Sequence, residues 1–270
     1  DWAGHSDIVE GPDGKFYGVF LAIRPNVNDR TVTGRETFLL PVDWSGKWPV
    51  FENGLIPIEP ILKLPQGVRN LTGKNGFIPQ GNFGYKDNLT ADTLDYRWFG
   101  LRIPIDSVAR TTKRGLQFMP NEFNITHDRP LSGAWTRQIH TDFSFSAEMA
   151  YLPRNEKDLA GIACIQSSKC NYVFGVTCKG KEYWLVLQRN AKGNGNIVAS
   201  HPLEYNARIN LKVSAHNDEY QFSYSLDGGK TYIDFGKPQS GDILSTDVAG
   251  GFVGNMLGLY STANNNAIPK

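Results

Sequence analysis

Five histidines, His5, His127, His140, His201 and His216, are scattered along the chain. None takes the His-Glu-x-x-His spacing that sets two imidazoles and a general base on one helix face around zinc. No serine stands in a Gly-x-Ser-x-Gly elbow, so the hydrolase-elbow reading has nothing to rest on. No glycine-rich turn follows a strand and opens a helix, the arrangement that aims backbone N–H groups at phosphate. Cys164, Cys170 and Cys178 lie close together without Cys-x-x-Cys spacing for zinc. An odd count is no disulfide framework, although one bridge, Cys164 to Cys170 across a short turn, stays open. Three sequons (Asn70-Leu-Thr72, Asn88-Leu-Thr90, Asn124-Ile-Thr126) occur near the frequency that so many Asn and Thr give by chance.

One segment has a turn chemistry of its own. Ser225-Leu-Asp-Gly-Gly-Lys-Thr-Tyr232 matches the Asp-box turn of sialidases and related propellers. Asp227 can accept backbone N–H bonds across the turn while Gly228 and Gly229 take positive φ. A single copy does no chemistry, and a sialidase-type site needs several arginines where only scattered ones occur. The expected role is a well-made hairpin.

The elements that must position any site are strands. Long amphipathic helical periodicity is missing, whereas short β-branched and aromatic runs broken by Gly, Asn and Pro recur throughout. Early ones are Phe16-Tyr-Gly-Val-Phe-Leu-Ala-Ile23 and Glu36-Thr-Phe-Leu-Leu-Pro-Val42, preceded by a Gly11-Pro-Asp-Gly14 turn and followed by a turn and short return strand over residues 44–50. They read as a small antiparallel unit. Pro57, Pro60, Pro65 and Pro79 then interrupt a Gly- and Asn-rich stretch that reads as a linker. Beyond it, residues 144–150, 209–215 and 220–225 alternate as half-buried strands. Residues 161–166, 171–176 and 182–188 form apolar runs separated by turns at 167–169 and 179–181. A last strand pair is expected over residues 252–260. Hairpin spacing of this kind predicts an all-β antiparallel sandwich.

Composition agrees with a folded chain. Of 270 residues, 40% are hydrophobic and 20% charged, which excludes disorder for the whole. The formal net charge is +1, from 28 basic and 27 acidic side chains, so a nucleic-acid grip by a basic body and a polybasic membrane anchor are both excluded. No stretch approaches the ~18 apolar residues of a membrane span.

Two segments in the first unit carry a resemblance. Gly4-His-Ser-Asp-Ile-Val-Glu-Gly-Pro-Asp-Gly-Lys-Phe-Tyr-Gly-Val-Phe20, then Gly34-Arg-Glu-Thr-Phe-Leu-Leu-Pro-Val42 with Trp44 and Trp48, closely resemble the end of the catalytic propeller of glycoside hydrolase family 43, the β-xylosidases and α-L-arabinofuranosidases. Asp92-Thr-Leu-Asp-Tyr-Arg-Trp98, Leu101-Arg-Ile-Pro104 and Gly250-Gly-Phe-Val-Gly-Asn-Met-Leu-Gly-Leu-Tyr260 resemble the concanavalin A-like sandwich appended to many of these enzymes. The resemblance implies a remnant of a five-bladed β-propeller over residues 1–57, a linker over 58–84, and a concanavalin A-like β-sandwich (jelly roll) over 85–270. It implies inverting hydrolysis by an Asp base and a Glu acid, carboxylates that stand ~6.5–9.5 Å apart to admit a water. Both are expected upstream of this chain, which would be silent alone and need the missing N-terminal blades as partner.

Residue by residue, His5 matches a histidine near the propeller axis that holds water or a Ca2+ ion, or lies close to the sugar. A neutral imidazole offers one donor and one acceptor, or one metal ligand; its bland alternative is a structural histidine beside a turn. Arg35 matches the arginine that reaches the sugar in the innermost subsite, where a forked guanidinium can hold hydroxyls and keep carboxylates ionised. The alternative is a strand-end arginine. Phe252 matches an aromatic that folds over the propeller mouth and narrows the pocket, against the alternative of a core ring in a strand. Val253 stands where the family often has Thr, so a hydroxyl contact is absent, and Asp7 is expected to support the strand entry. A closing Asp-Phe-rich strand expected after Tyr260 is not found in the sequence, which predicts an unpaired edge there.

The function expected is removal of terminal xylose or arabinose from plant polysaccharide fragments, with a xylo- or arabino-oligosaccharide as ligand and no required cofactor. Secreted or periplasmic placement is expected ahead of cytoplasmic. The rival is a stand-alone sugar-binding sandwich presenting Trp135, Tyr183 and Trp184 to glycans.

Overall fold

The structure, a computed structural model, describes residues 2–52, 54 and 81–265. Most of the expected linker, 58–80, lies outside the described residues. Two compact units are found: residues 1–24 with 35–87, and residues 25–34 with 88–270. The segment joining the second and third strands of the first unit thus belongs to the second.

The first unit is a four-stranded antiparallel meander, β1 (Gly4–Glu10), β2 (Phe16–Ala22), β3 (Glu36–Asp43) and β4 (Val50–Phe51), paired in chain order. Phe20, Ala22 and Leu40 are buried with Phe38 and Phe51 packed on them. The Phe20 ring stacks on Phe38 at 5.8 Å and meets Phe51 edge-on at 6.2 Å. Four short strands with so few buried side chains are marginal as an independent sheet.

The second unit holds β5 (Ala109–Thr112), β6 (Gly115–Phe118), β7 (Gly133–Arg137), β8 (Phe143–Ala150), β9 (Leu159–Ser167), β10 (Cys170–Lys179) and β11 (Glu182–Ala191). Next come β12 (Asn194–Pro202), β13 (Arg208–His216), β14 (Glu219–Ser225), β15 (Ile233–Asp234), β16 (Gln239–Ser240), the one-turn α1 (Thr246–Ala249) and β17 (Met256–Thr262). A six-stranded sheet, β12-β11-β10-β9-β17-β7, faces a smaller sheet, β15-β14-β13-β8, with β16 on β14. The inter-sheet core joins Ile162, Phe174, Leu185 and Leu187 to Leu211, Val213, Tyr220 and Phe222.

The outer face of the six-stranded sheet is covered as well. Ile125, Leu131 and the partly buried Phe99, Leu101 and Phe123 pack there on Trp135, Ile165, Val173 and Tyr260. This double cover explains why β9 and β10 are buried almost continuously while β8 and β13 alternate. The strands read as apolar runs are sandwiched between two layers, and those read as alternating have one face in water. Just before Phe99 in the chain, Arg97 forks onto Asp95 with bonds of 2.7 and 2.8 Å, and the guanidinium holds the Asp95 carboxyl below its usual range.

Two expectations change. The expected strand pair over 252–260 is one strand, β17, preceded by a loop. The open edge expected beside Tyr260 does not occur: β17 is interior, paired with β9 on one side and β7 on the other. All three cysteines are free and buried, and Cys164 lies opposite Tyr172 rather than Cys170. Asn124 is 4% exposed, with its Nδ2 donating to the Asn264 carbonyl at 2.8 Å and its Oδ1 accepting from Thr126, so this sequon is a structural turn.

The Asp227 turn is a hairpin, as its residues predict. Asp227 Oδ1 accepts from Ser225 Oγ at 2.6 Å and from the N–H groups of Lys230 and Thr231 at 3.0 Å, with Gly228 and Gly229 at φ 78° and 81°. The Ser225 hydroxyl foremost, then these N–H bonds, hold the carboxyl down to about 2. A depressed carboxyl stabilises the fold fully above its unfolded pKa, near 4, and the contribution is lost as pH falls through the folded value near 2. Asp227→Ala is therefore expected to lower the denaturation midpoint at pH 7 and to match the parent below pH 2. Equal midpoints at pH 7 would show that the turn holds without its carboxylate.

Candidate functional site

His5 and Arg35 sit at one end of the four-stranded sheet. Gly4 pairs with Leu21, and Leu21 pairs in turn with Thr37, so these three stand in one cross-strand row. His5 follows Gly4 and Arg35 precedes Thr37 by two residues. The register shifts between Gly4 and Asp7, where β1 takes three steps against two in β2. That is a bulge, and His5 lies in it with φ 51°, a backbone region costly for a non-glycine residue. The bulge lifts the His5 and Ser6 side chains out of regular alternation, and both are exposed. Arg35 is also exposed, between Gly34 and the first residue of β3. Asp7 opposes Val19 and is exposed, at the point where regular pairing resumes.

Phe252 lies in the second unit, on the loop between α1 and β17 rather than in a strand, and is 62% exposed. The loop is fixed from several directions. Gly250 and Gly251 take φ 78° and 75°, which reverse the chain just before the ring. The Gln166 amide donates to the carbonyls of Gly250 at 2.7 Å and Val253 at 3.3 Å. Val253 forms an antiparallel bridge with Gly34. A Cβ on Gly254 would stand 2.2 Å from the Thr33 carbonyl oxygen, and one on Gly34 2.3 Å from the Gly254 nitrogen, so only glycines allow this approach. Asn255 N–H donates to the Val32 carbonyl, Thr246 N–H to the Thr31 carbonyl, and Thr31 N–H to Asp247 Oδ2, all at 2.7–2.8 Å.

Beneath these contacts is a buried polar knot. Tyr220 OH and Asn255 Nδ2 both donate to Gln138 Oε1, at 2.8 and 2.7 Å, and Gln138 N–H donates to the Asn255 carbonyl. Burial pushes the Tyr220 phenol up, so it is a neutral donor at any working pH. The knot ties residues 31–34 and 250–255 to the sandwich core. Arg35 is the next residue along the chain.

Chemically, these parts can bind. A guanidinium can fork onto two hydroxyls, an imidazole can hold a water or hydroxyl, and an exposed ring at a pinned turn can lie on the apolar face of a sugar. The donor set does not fit Ca2+ by itself: the ion takes six to eight oxygen ligands, His5 offers a nitrogen, and no group of three His, Cys, Asp or Glu side chains gathers among the described residues. Of the aromatics proposed to present themselves to glycans, Trp135 is fully buried. Tyr183 and Trp184 are half-buried; Tyr183 packs edge-on to Tyr205 at 5.6 Å, and Trp184 lies against the outer core.

Comparison with known proteins decides the family. The model described as the beta xylosidase C-terminal Concanavalin A-like domain matches residues 86–268. The chain belongs to this family. A non-reducing end alpha-L-arabinofuranosidase of Bacteroides ovatus is 26% identical over 269 residues, covering 98% of this chain and 48% of that protein. A xylosidase/arabinosidase of Butyrivibrio fibrisolvens is 24% identical and covers 97% of this chain and 49% of that protein. Among solved structures, a GH43_12 retrieved from capybara gut metagenome is 42% identical with a TM-score of 0.87, covering 97% of this chain and 49% of that one. A GH43 protein from Bacillus licheniformis is 25% identical with a TM-score of 0.82, covering 98% and 50%. The chain spans about half the length of these relatives. The glycoside hydrolase family 43 resemblance carried by the motifs agrees with them.

In this concanavalin A-like domain, sequence reading missed the residues that hold Phe252. Gln166 ends an apolar run, the one faint signal that a strand tip had a polar task. Gln138, Asn255 and Asp247 gave none, because their partners are distant in sequence: Asp247 bonds Thr31 216 positions away, Asn255 bonds Val32 and Gln138, and Gln138 bonds Tyr220 across 82 residues.

Proposed function

We propose that this chain is the C-terminal part of an inverting glycoside hydrolase that removes terminal xylose or arabinose from plant polysaccharide fragments. In it Arg35 and His5 contact the sugar, and Phe252 narrows the pocket. The observation that carries this reading is the 42% identity, at a TM-score of 0.87, to a GH43_12 structure of which the chain covers 49%. Supporting it, the first unit is a four-stranded antiparallel sheet, the size of one propeller blade, with exposed Val9, Leu39, Trp44 and Trp48. Those apolar side chains suit burial against neighbouring blades upstream in the same protein.

The acid and base belong to that upstream part, so proton transfer is assigned to no residue here. This chain's side chains orient the sugar and exclude water. The reading requires no cofactor; an axial Ca2+ would draw its oxygen ligands from elsewhere. The favoured ligand is a xylo- or arabino-oligosaccharide, and the favoured compartment is outside the cytoplasm.

The test is hydrolysis of aryl β-xyloside and aryl α-arabinofuranoside by the protein with its native upstream sequence, with the product anomer followed by NMR. Turnover of either with inversion supports the reading. Retention of configuration would overturn the two-carboxylate, water-attack mechanism, and no turnover of either would overturn the substrate class.

A further inference from the structure

We propose that Gln166 is the positioning residue for the Phe252 loop, setting how far the ring reaches over the sugar. This rests on the reading of Phe252 as the ring that narrows the pocket.

Gln166 is near the end of β9, in the middle of the six-stranded sheet, and is 5% exposed. Ile165, the residue before it, pairs with Asn171 on β10 and Met256 on β17, and Gln166 lies in the register shift between that pair and Cys170–Ser167. Its one amide nitrogen reaches two carbonyls that bracket the ring, Gly250 and Val253. Between them lie only Gly251 and Phe252. The amide oxygen is buried without a hydrogen-bond partner among the described residues. The side chain is thus held by what its nitrogen does.

The turn needs such a grip. Gly250 and Gly251 both have positive φ, and glycines have the widest choice of alternative conformations, so two in succession make the loop the easiest part of this face to reshape. The bridge from Val253 to Gly34 holds the far side of the loop, and Gly250 N–H on the Thr246 carbonyl holds the near side. Gln166 joins the two sides beneath the ring. Without it the ends remain tied while the two residues between them gain freedom.

The experiment is a double-mutant cycle on kcat/KM for an aryl pentoside, in the protein with its native upstream sequence. Gln166→Met keeps the volume and removes the donor. It is expected to lower kcat/KM by about tenfold or more, because a misplacement of about 1 Å can cost ~10²-fold. In a Phe252→Ala background the same change is expected to cost almost nothing. Tyr172→Phe, which removes the part-buried bond from Tyr172 OH to the Ser240 carbonyl, is the control: it lowers Tm and leaves kcat/KM alone. Should Gln166→Met not fold, Gln166→Asn, which retracts the amide by one methylene, carries the same cycle.

If Gln166→Met stays within about twofold of the parent while Phe252→Ala is impaired, the positioning role is overturned and the pocket reading stands. If its cost is undiminished in the Phe252→Ala background, Gln166 acts by another route and the proposal fails. If Phe252→Ala itself has no effect, the reading on which the proposal rests is wrong.

Discussion

Replacing Arg35 with alanine, in the protein with its native upstream sequence, is expected to lower kcat/KM by about 10²- to 10³-fold, the usual cost of deleting one aimed donor at a reacting centre. Its side chain is exposed at the start of β3, so removal opens no core cavity, and Tm is expected to stay near that of the parent. Its backbone is well placed for a precise task. Gly34, immediately before it, is bridged to Val253, and the chain before that is bonded at Val32 and Thr31 to Asn255, Thr246 and Asp247. Arg35→Lys is expected to recover little, because an ammonium is a point charge and lacks the planar fork that spans two hydroxyls. Steady-state kinetics with a parallel thermal melt separates the outcomes. A fall in Tm with catalysis intact would make Arg35 a structural strand-end residue.

The second large effect is on stability. Trp135→Ala is expected to cost about 3–5 kcal/mol, a large share of the roughly 5–15 kcal/mol that holds a typical domain. Trp135 is fully buried on β7, with Tyr260 at 6.2 Å and Gly258 directly against the ring. A Cβ at Gly258 would stand 2.2 Å from Trp135 Cε3, so the indole fills a space that glycine leaves open. Small residues cannot reclaim that volume, and the six-stranded sheet would lose the contact between its edge strand β7 and its cover. Urea denaturation measures the loss. A well-folded Trp135→Ala variant that has merely lost retention on insoluble xylan would instead return this residue to a glycan-presenting role.

Much of the second unit is legible from local pattern, because burial there follows strand periodicity. Residues 144–150 and 209–215 alternate since one face of their sheet meets water, and residues 161–166 and 171–176 run apolar since theirs is covered twice. β12 left no such mark: Asn194, Gly195 and Asn196 open an edge strand that is largely exposed, where packing imposes no apolar code. The loop at Phe252 was read as strand because its residues are small and apolar. Two positive-φ glycines and the close approach of Gly254 to Thr33 made it a turn.

The site was legible in part. His5, Arg35 and Phe252 came from motif resemblance. Sheet register then shows that His5 and Arg35 share one end of the meander, which no spacing in the sequence states. The grouping of residues 25–34 with the sandwich was invisible for a physical reason. It depends on bonds such as Thr31 to Asp247, between residues 216 positions apart, where neither partner has an unusual neighbourhood of its own.

The central claim is that this chain supplies sugar contacts while the proton-transferring carboxylates lie upstream. The most direct measurement compares hydrolysis of aryl β-xyloside and aryl α-arabinofuranoside by these 270 residues alone and by the protein with its native upstream sequence. Turnover by the longer protein only is the result expected, and the better substrate names its specificity. Turnover by the 270 residues alone would contradict the account, because carboxylates within this chain would then have to carry the chemistry.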